Sequence, residues 1–339
     1  MKAKSFIKYG EVDRSRLPVT VKLISEWCYT MSTTLIYGAE KSGKSWFALL
    51  VALSLASGQN FNGYEIPEPK KVLYLSSELS LPEVVERCDK LTSSCTFSRQ
   101  MDIICDNLIL NDKDSIGRDL SDSKVQRDIM TCAAQNMVDV IIVDNIYTGV
   151  KLTPRFWEST YKFVESAYEN GMAVILVCPA NKKGELFGVK NPAYWAANVI
   201  RIQRCFPEGI DEDQVDHNIV IESTIEISRR GSYIDCVPHY LWLIDKNRSF
   251  DILYHEVSAK TAQKVNDLRI LLAIYQGINT CHAISKAIGL SEGYTCKRLK
   301  VLMNKGFIIR YGNCYYPANA NYNSSHNDGT KITPETIDV

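Results

Sequence analysis

No run of apolar residues in this 339-residue chain approaches the roughly 18 needed to cross a bilayer, which argues against a helical membrane span. The opening Met1-Lys2-Ala3-Lys4-Ser5 has no apolar core behind it, so a signal peptide is not expected. An excess of charge of either sign is also missing. With 39 Lys and Arg against 39 Asp and Glu, affinity for a polyanion has to come from a local patch. The eleven cysteines never form a C-x-x-C pair, which argues against zinc. Their odd number in a chain without a leader points to a reducing cytoplasm. Cys105 and Cys178 sit in apolar runs and are expected in the core.

What is present is a phosphate-loop pattern. Gly38-Ala39-Glu40-Lys41-Ser42-Gly43-Lys44-Ser45 has the spacing G-x-x-x-x-G-K-[ST]. It follows the β-branched run Thr33–Tyr37 and leads into the apolar stretch Trp46–Leu53. Strand, glycine-rich turn and helix are the order that wraps backbone N–H groups and a helix N-terminus around a phosphate. Lys44 is expected on the β- and γ-phosphates and the Ser45 hydroxyl on Mg²⁺. With both flanking elements present, the spacing is read as a nucleoside triphosphate site rather than a chance match in a loop.

The rest of the chain alternates strands and helices. Strands are expected at Lys71–Leu75, Met101–Leu110, Val138–Asn145 and Ala173–Cys178. Helices are expected from Leu81 with Ser80 as N-cap, near Ser123–Asn136, and from Pro154 to Asn170. This alternation means an α/β fold with a mainly parallel sheet. Later strands follow one another without helices, at Asn198–Arg204, Asn218–Glu222, Thr224–Arg229, Tyr240–Leu243 and Phe250–His255. An acidic loop, Pro207 to Asp216, separates the first two. They are expected as an antiparallel extension of the sheet edge. The expected organisation is a lead-in over 1–30, an ATPase domain over 31–255, a linker over 256–263, a small domain over 264–318 and a polar tail over 319–339.

Hydrolysis needs a second Mg²⁺ contact and a group to orient water. Asp144 ends the apolar strand Ile141-Ile142-Val143 and fits the first role, although an aspartate there can also cap a loop. Asn145, not glutamate, follows it, so the catalytic carboxylate has to come from elsewhere. Glu78 closes the strand after the phosphate loop and is the candidate. The alternative is a solvated glutamate at a helix start.

The phosphate loop, the strand ending Leu75-Ser76-Ser77-Glu78, the single acid after Ile141-Ile142-Val143 and the later Asn181-Lys182-Lys183-Gly184 together resemble the RecA-like ATPases. Within them the chain is similar to the hexameric plasmid replicative helicases and their AAA-type relatives on mobile elements, over about residues 30 to 255. The resemblance implies a RecA-like P-loop core, a homo-oligomer in a hexameric ring or filament, ATP hydrolysis with Mg²⁺ at subunit interfaces, and single-stranded DNA along the inside. It places a basic residue from the neighbouring subunit at Arg229 or Arg230, where a pair of solvated arginines is the plainer reading. It places a DNA-contacting loop at Lys182, Lys183 and Lys190, which read equally well as a charged surface loop. One departure stands out. The γ-phosphate sensor, usually histidine or glutamine, is replaced by Cys178-Pro179-Ala180, leaving Asn181 as the polar candidate.

The carboxyl-terminal segment has a different texture. Leu271, Leu272 and Ile274 mark one helix, Cys281–Ile288 a second stopped by Gly289, and Leu299 and Leu302 a third. Two short strands flank Tyr311-Gly312-Asn313, a hairpin signal. Three helices and a hairpin make a winged helix, and Ile288–Ile308 is similar to the winged helix-turn-helix domains of bacterial regulators. Between residues 259 and 319 nine Lys or Arg face two acids, a local +7. Arg298, Lys300 and Arg310 are expected at duplex phosphates, and Tyr294, Thr295 and Lys297 near base edges. A winged helix that docks protein, in replication proteins for example, is the alternative.

The expected function is an ATP-hydrolysing DNA helicase or motor of a mobile element. The alternative is an ATP-dependent assembly switch, loader or regulator that binds DNA without unwinding it. A small-molecule kinase shares the phosphate loop, but the edge strands and the winged helix argue against it.

Overall fold

The computed structural model describes residues 8–25, 27–94, 97–112, 119–146, 153–181, 184–186, 193, 195–205, 219–229, 239–245, 249–256, 262–304 and 306–318. They fall into two compact units that divide near residue 260.

The larger unit is built on one nine-stranded sheet. Its strands are β3 (Thr33–Gly38), β4 (Val72–Ser76), β5 (Leu108–Leu110), β6 (Val140–Asp144), β7 (Ala173–Pro179), β8 (Asn198–Arg204), β9 (Ile219–Ser228), β10 (His239–Asp245) and β11 (Phe250–Glu256). They lie in the order β11-β10-β9-β8-β3-β7-β6-β4-β5. From β8 to β5 every pairing is parallel, and from β8 to β11 every pairing is antiparallel. A short antiparallel pair, β1 (Lys22–Ile24) and β2 (Cys28–Tyr29), precedes the sheet. This is the mainly parallel sheet with an antiparallel edge expected of a RecA-like core.

The apolar, β-branched runs of β3, β6 and β7 are buried because helices cover both faces of the sheet. On one face lie α1 (Lys44–Ser57), α2 (Leu81–Thr92) and α3 (Met101–Asn107). On the other lie α4 (Ser123–Gln135) and α5 (Pro154–Glu169). Helix α1 is buried from Phe47 to Ser57 and ends on Gly58 at a φ of 73°. At the start of α2 the Glu83 carboxylate accepts the Ser80 N–H at 2.7 Å, as the sequence led us to expect of a capped helix.

Two expectations are corrected. Met101–Asn107 is a helix, and only Leu108–Leu110 forms the strand. Its single inward residue is Ile104, while Ile103 and Cys105 are exposed, so Cys105 is not a core cysteine. A three-residue apolar run at a helix surface imitates a short strand. The strands expected at 218–222 and 224–229 are one continuous β9. The interruption in its apolar pattern is Ser223, a buried hydroxyl that donates to the His239 carbonyl at 3.3 Å.

The smaller unit contains α6 (Ala262–Tyr275), α7 (Cys281–Ala287), α8 (Glu292–Asn304) and the hairpin β12 (Ile308–Tyr311) with β13 (Cys314–Pro317). Ile270, Ile274, Ile284, Leu299, Leu302, Ile308 and Tyr315 form its core. Thr280 bridges Cys314, and the Tyr315 N–H donates to the Asn279 carbonyl at 2.7 Å, so the segment before α7 is tied to the hairpin by an isolated antiparallel bridge. Among the described residues no helix is long and apolar enough to cross a membrane. The acidic loop at 207–216 and the tail at 319–339 lie outside the described residues.

Candidate nucleotide site

The carboxyl ends of β3, β4 and β6 open onto a cleft of about 820 Å³. Its walls include Glu40 to Trp46 from the loop and helix start, Glu78, Arg87, Asp144, Asn145, Pro179, Ala180, Arg204 and Ile219. Two glycines of the loop leave no room for a side chain. A Cβ on Gly38 would strike the Ile202 carbonyl, and one on Gly43 would sit 2.7 Å from Ile221 Cδ1. Gly43 also has a φ of 91°, a conformation few other residues hold. Strands β8 and β9 therefore back directly onto the phosphate loop.

Lys44 donates from Nζ to the Ala39 carbonyl at 2.6 Å, bridging the loop from inside. Partial burial pulls its ammonium below the ordinary lysine value, while the charges of Asp144, Glu78 and Glu40 pull it back up. Asp144 is 3% exposed. The Tyr74 hydroxyl donates to its Oδ2 at 2.6 Å, while its Oδ1 is buried without a hydrogen-bond partner among the described residues. Burial raises the Asp144 carboxyl. The hydroxyls of Tyr74 and Ser45 and the charges of Arg87 and Lys44 oppose that rise. An orphaned carboxylate oxygen beside a serine hydroxyl is a donor set of the kind magnesium takes. The residues fit the ion.

Glu78 is the outer carboxylate. Asn145, joined to Asp144 through a cis peptide bond, donates from its side-chain amide to Glu78 Oε1 at 2.8 Å. The Ser77 N–H donates to the Asp144 carbonyl at 2.9 Å, so the ends of β4 and β6 are laced together. Burial first, and then the Asp144 charge, raise the Glu78 carboxyl against the pull of Lys44.

The phosphate loop together with Asp144 and Glu78 forms one cleft, and four further wall residues were not singled out in the sequence: Trp46, Arg87, Arg204 and Ile219. Arg87 lies on α2 nine residues after Glu78. Among the described residues its guanidinium has no hydrogen bond or ion pair, and it sits 4.7 Å from the centre of the Trp46 ring.

Other candidates lie elsewhere. Asn181 is not among the cleft walls. Its amide donates to Glu185 Oε2 at 3.1 Å and its Oδ1 accepts the Glu185 N–H at 3.0 Å, closing a turn. Cys178 is buried, and Pro179 and Ala180 present the end of β7 to the cleft. Arg229 follows β9 at the opposite end of the strands from the loop and donates to the carbonyls of Ala196 at 2.9 Å and Ala193 at 3.0 Å. Arg230, Lys182, Lys183 and Lys190 lie outside the described residues.

In the smaller unit two expected DNA contacts are corrected. Thr295 is fully buried and its hydroxyl donates back to the Ser291 carbonyl at 3.1 Å. Arg298 makes a two-pronged ion pair with buried Asp267, at 2.6 and 2.5 Å. Tyr294 is half-buried, its hydroxyl facing the Asn266 amide at 3.4 Å. Lys297, Lys300 and Arg310 are exposed.

The family profile described as the AAA domain matches residues 7–184, just over half of the chain and every acidic and loop residue of the cleft. The chain belongs to the AAA domain family. Among solved structures, this AAA domain protein is similar to a KaiC-like protein from the hyperthermophilic archaeon Pyrococcus horikoshii. The TM-score is 0.47 at 15% identity, covering 68% of this chain and 93% of that one. No curated protein matches it. Outside the matched span lie the antiparallel edge strands and the smaller unit.

Proposed function

We propose that this AAA domain protein hydrolyses ATP and acts on DNA as a helicase or motor, with the smaller unit as a winged helix that holds duplex. The observation that carries the first part is the cleft itself. A glycine-tight anion loop faces two carboxylates held at different depths, with one arginine left without a hydrogen bond among the described residues. The loop N–H groups and Lys44 bind the phosphates. Ser45 and Asp144 would hold Mg²⁺, which would supply positive charge to neutralise the transferring phosphoryl group. Glu78, held by Asn145, orients and deprotonates the attacking water, and Arg87 meets the charge that grows on the terminal phosphate.

The DNA reading is supported by the local +7 charge and by the topology of three helices, an extra bridge and a hairpin. Lys297 and Lys300 on exposed positions of α8, with Arg310 on the hairpin, are the proposed phosphate contacts. In a homo-oligomer, Arg229 or Arg230 and the lysines at 182, 183 and 190 are the proposed contributions to a neighbour's site and to single-stranded DNA.

One observation favours a second reading, an ATP-dependent assembly switch or loader. The end of β7 offers the cleft a proline and an alanine, and Asn181 is committed to Glu185. ATP hydrolysis measured with and without single-stranded DNA, together with unwinding of a forked duplex, separates the two. DNA-stimulated hydrolysis with unwinding supports the motor. ATP-dependent assembly without unwinding supports the switch.

A further inference from the structure

We propose that Trp46 is a positioning residue of the phosphate site, its indole ring holding the Arg87 guanidinium at the cleft for the terminal phosphate. The inference rests on the reading of this cleft as a triphosphate site and extends it to a residue outside the phosphate-loop pattern.

Trp46 directly follows Ser45, on the first turn of α1, and Arg87 lies on α2. Both line the cleft. An arginine beside carboxylates would ordinarily pair with one. Among the described residues Arg87 does not, although its charge is close enough to favour the ionised forms of Asp144 and Glu78. Its partner is the Trp46 ring, with Cζ 4.7 Å from the ring centre. Tryptophan is the strongest ring for such a contact, and an aromatic partner uses none of the five N–H donors. Arg87 is thus held in place with its N–H donors unspent among the described residues, as a group waiting for a phosphate should be.

The ring is itself fixed. Phe250, 2% exposed at the start of β11, meets Trp46 edge-to-face, with centroids 5.1 Å apart and an interplanar angle of 84°. Lys90 Nζ lies 4.6 Å from the Phe250 ring centre and pairs with Asp245 at 2.7 Å. A chain of contacts therefore runs from the two outermost antiparallel strands, through Phe250 and Trp46, to the arginine. The loop pattern accounts for Lys44 and Ser45; it asks nothing of the next position.

The test is a double-mutant cycle on the full-length protein. Saturating rates of Mg²⁺-dependent ATP hydrolysis are measured for wild type, Trp46→Met, Arg87→Ala and the double variant, with binding of a fluorescent ATP analogue as the folding control. Arg87→Ala is expected to lower kcat about 100-fold, and Trp46→Met about tenfold with analogue affinity little changed. In the Trp46→Met background, removing Arg87 should cost clearly less than in wild type, because the arginine is already misplaced. Trp46→Phe should recover most of the loss. Should methionine loosen the packing on Phe250, Trp46→Leu gives the same cycle with a second side chain that lacks a ring. Losses that simply multiply, or a Trp46→Phe variant no better than Trp46→Met, would overturn the inference while leaving the triphosphate reading intact. A wild-type protein that binds no ATP analogue would instead remove the triphosphate reading, and the inference with it.

Discussion

Asn145 holds Glu78, its side-chain amide reaching across from the end of β6 to donate to Oε1 at 2.8 Å. The residue that follows the buried Asp144 is thus not a carboxylate but the support of the one proposed as the base. Asn145→Ala should lower kcat about tenfold and leave the KM for ATP within about twofold, since it disturbs the base rather than the phosphate cradle. Steady-state hydrolysis checks this.

Glu78→Gln should keep nucleotide binding and stop hydrolysis. The pH profile supplies a second check. The Glu78 carboxyl is raised above 4.5, by burial and then by Asp144, and a general base works only when ionised. The acid limb of kcat should therefore lie above pH 4.5. In Asn145→Ala, where the ionised form loses a donor, it should move higher still. A limb that stays put in the Asn145 variant would separate Asn145 from the base.

Asp144 and Lys44 both carry an electrostatic cost when the cleft is empty. A carboxyl raised by folding binds its proton more tightly in the folded state. Stability therefore falls as pH rises from 3.8 through the raised folded value, and the penalty persists above it. Lys44 is lowered by folding, so its penalty is present at neutral pH and lifts only as pH climbs toward 10.5. Asp144→Asn and Lys44→Ala should each leave the nucleotide-free Tm at pH 7.5 unchanged or higher, yet abolish the Tm rise given by Mg²⁺ and ATP. Differential scanning calorimetry with and without ligand decides it.

Tyr74→Phe removes the hydroxyl that donates to Asp144 Oδ2. A buried acceptor left alone costs about 1–3 kcal/mol, and the magnesium needed for half-maximal hydrolysis should rise about tenfold. Thermal unfolding and a metal titration read the two effects separately.

The corrected residues of the smaller unit make their own prediction. Arg298→Met strands the buried Asp267 and should destabilise that unit by about 3 kcal/mol. Lys297→Ala and Lys300→Ala should leave stability alone, and each should flatten the salt dependence of duplex binding by about one phosphate contact. If neither lysine changes that slope, α8 is not the DNA-facing helix.

Much of this was legible in the sequence, because period and spacing are local. The loop, the strand before Asp144 and the helix capped at Ser80 need only their own neighbours. Arg87 and Trp46 were not legible as a pair, since 41 positions separate them and only the packing of α2 on α1 brings them to one cleft. Tyr74 read as another buried strand residue. What its hydroxyl does depends on β6 lying next to β4. Thr295 is a different case. It lies four residues before Leu299 and seven before Leu302, on the inward stripe that the same periodicity defines, so its burial was there to be read.

The closeness of Gly43 to Ile221 bears on how the site can respond. A loop with no clearance on one side cannot swell in that direction when an anion enters. Any push must be taken by a strand hydrogen-bonded to both of its neighbours. The phosphate cradle thus has a stiff back and an open front. Whatever motion a nucleotide provokes is steered away from the antiparallel ribbon, toward the carboxylates and the arginine that face it.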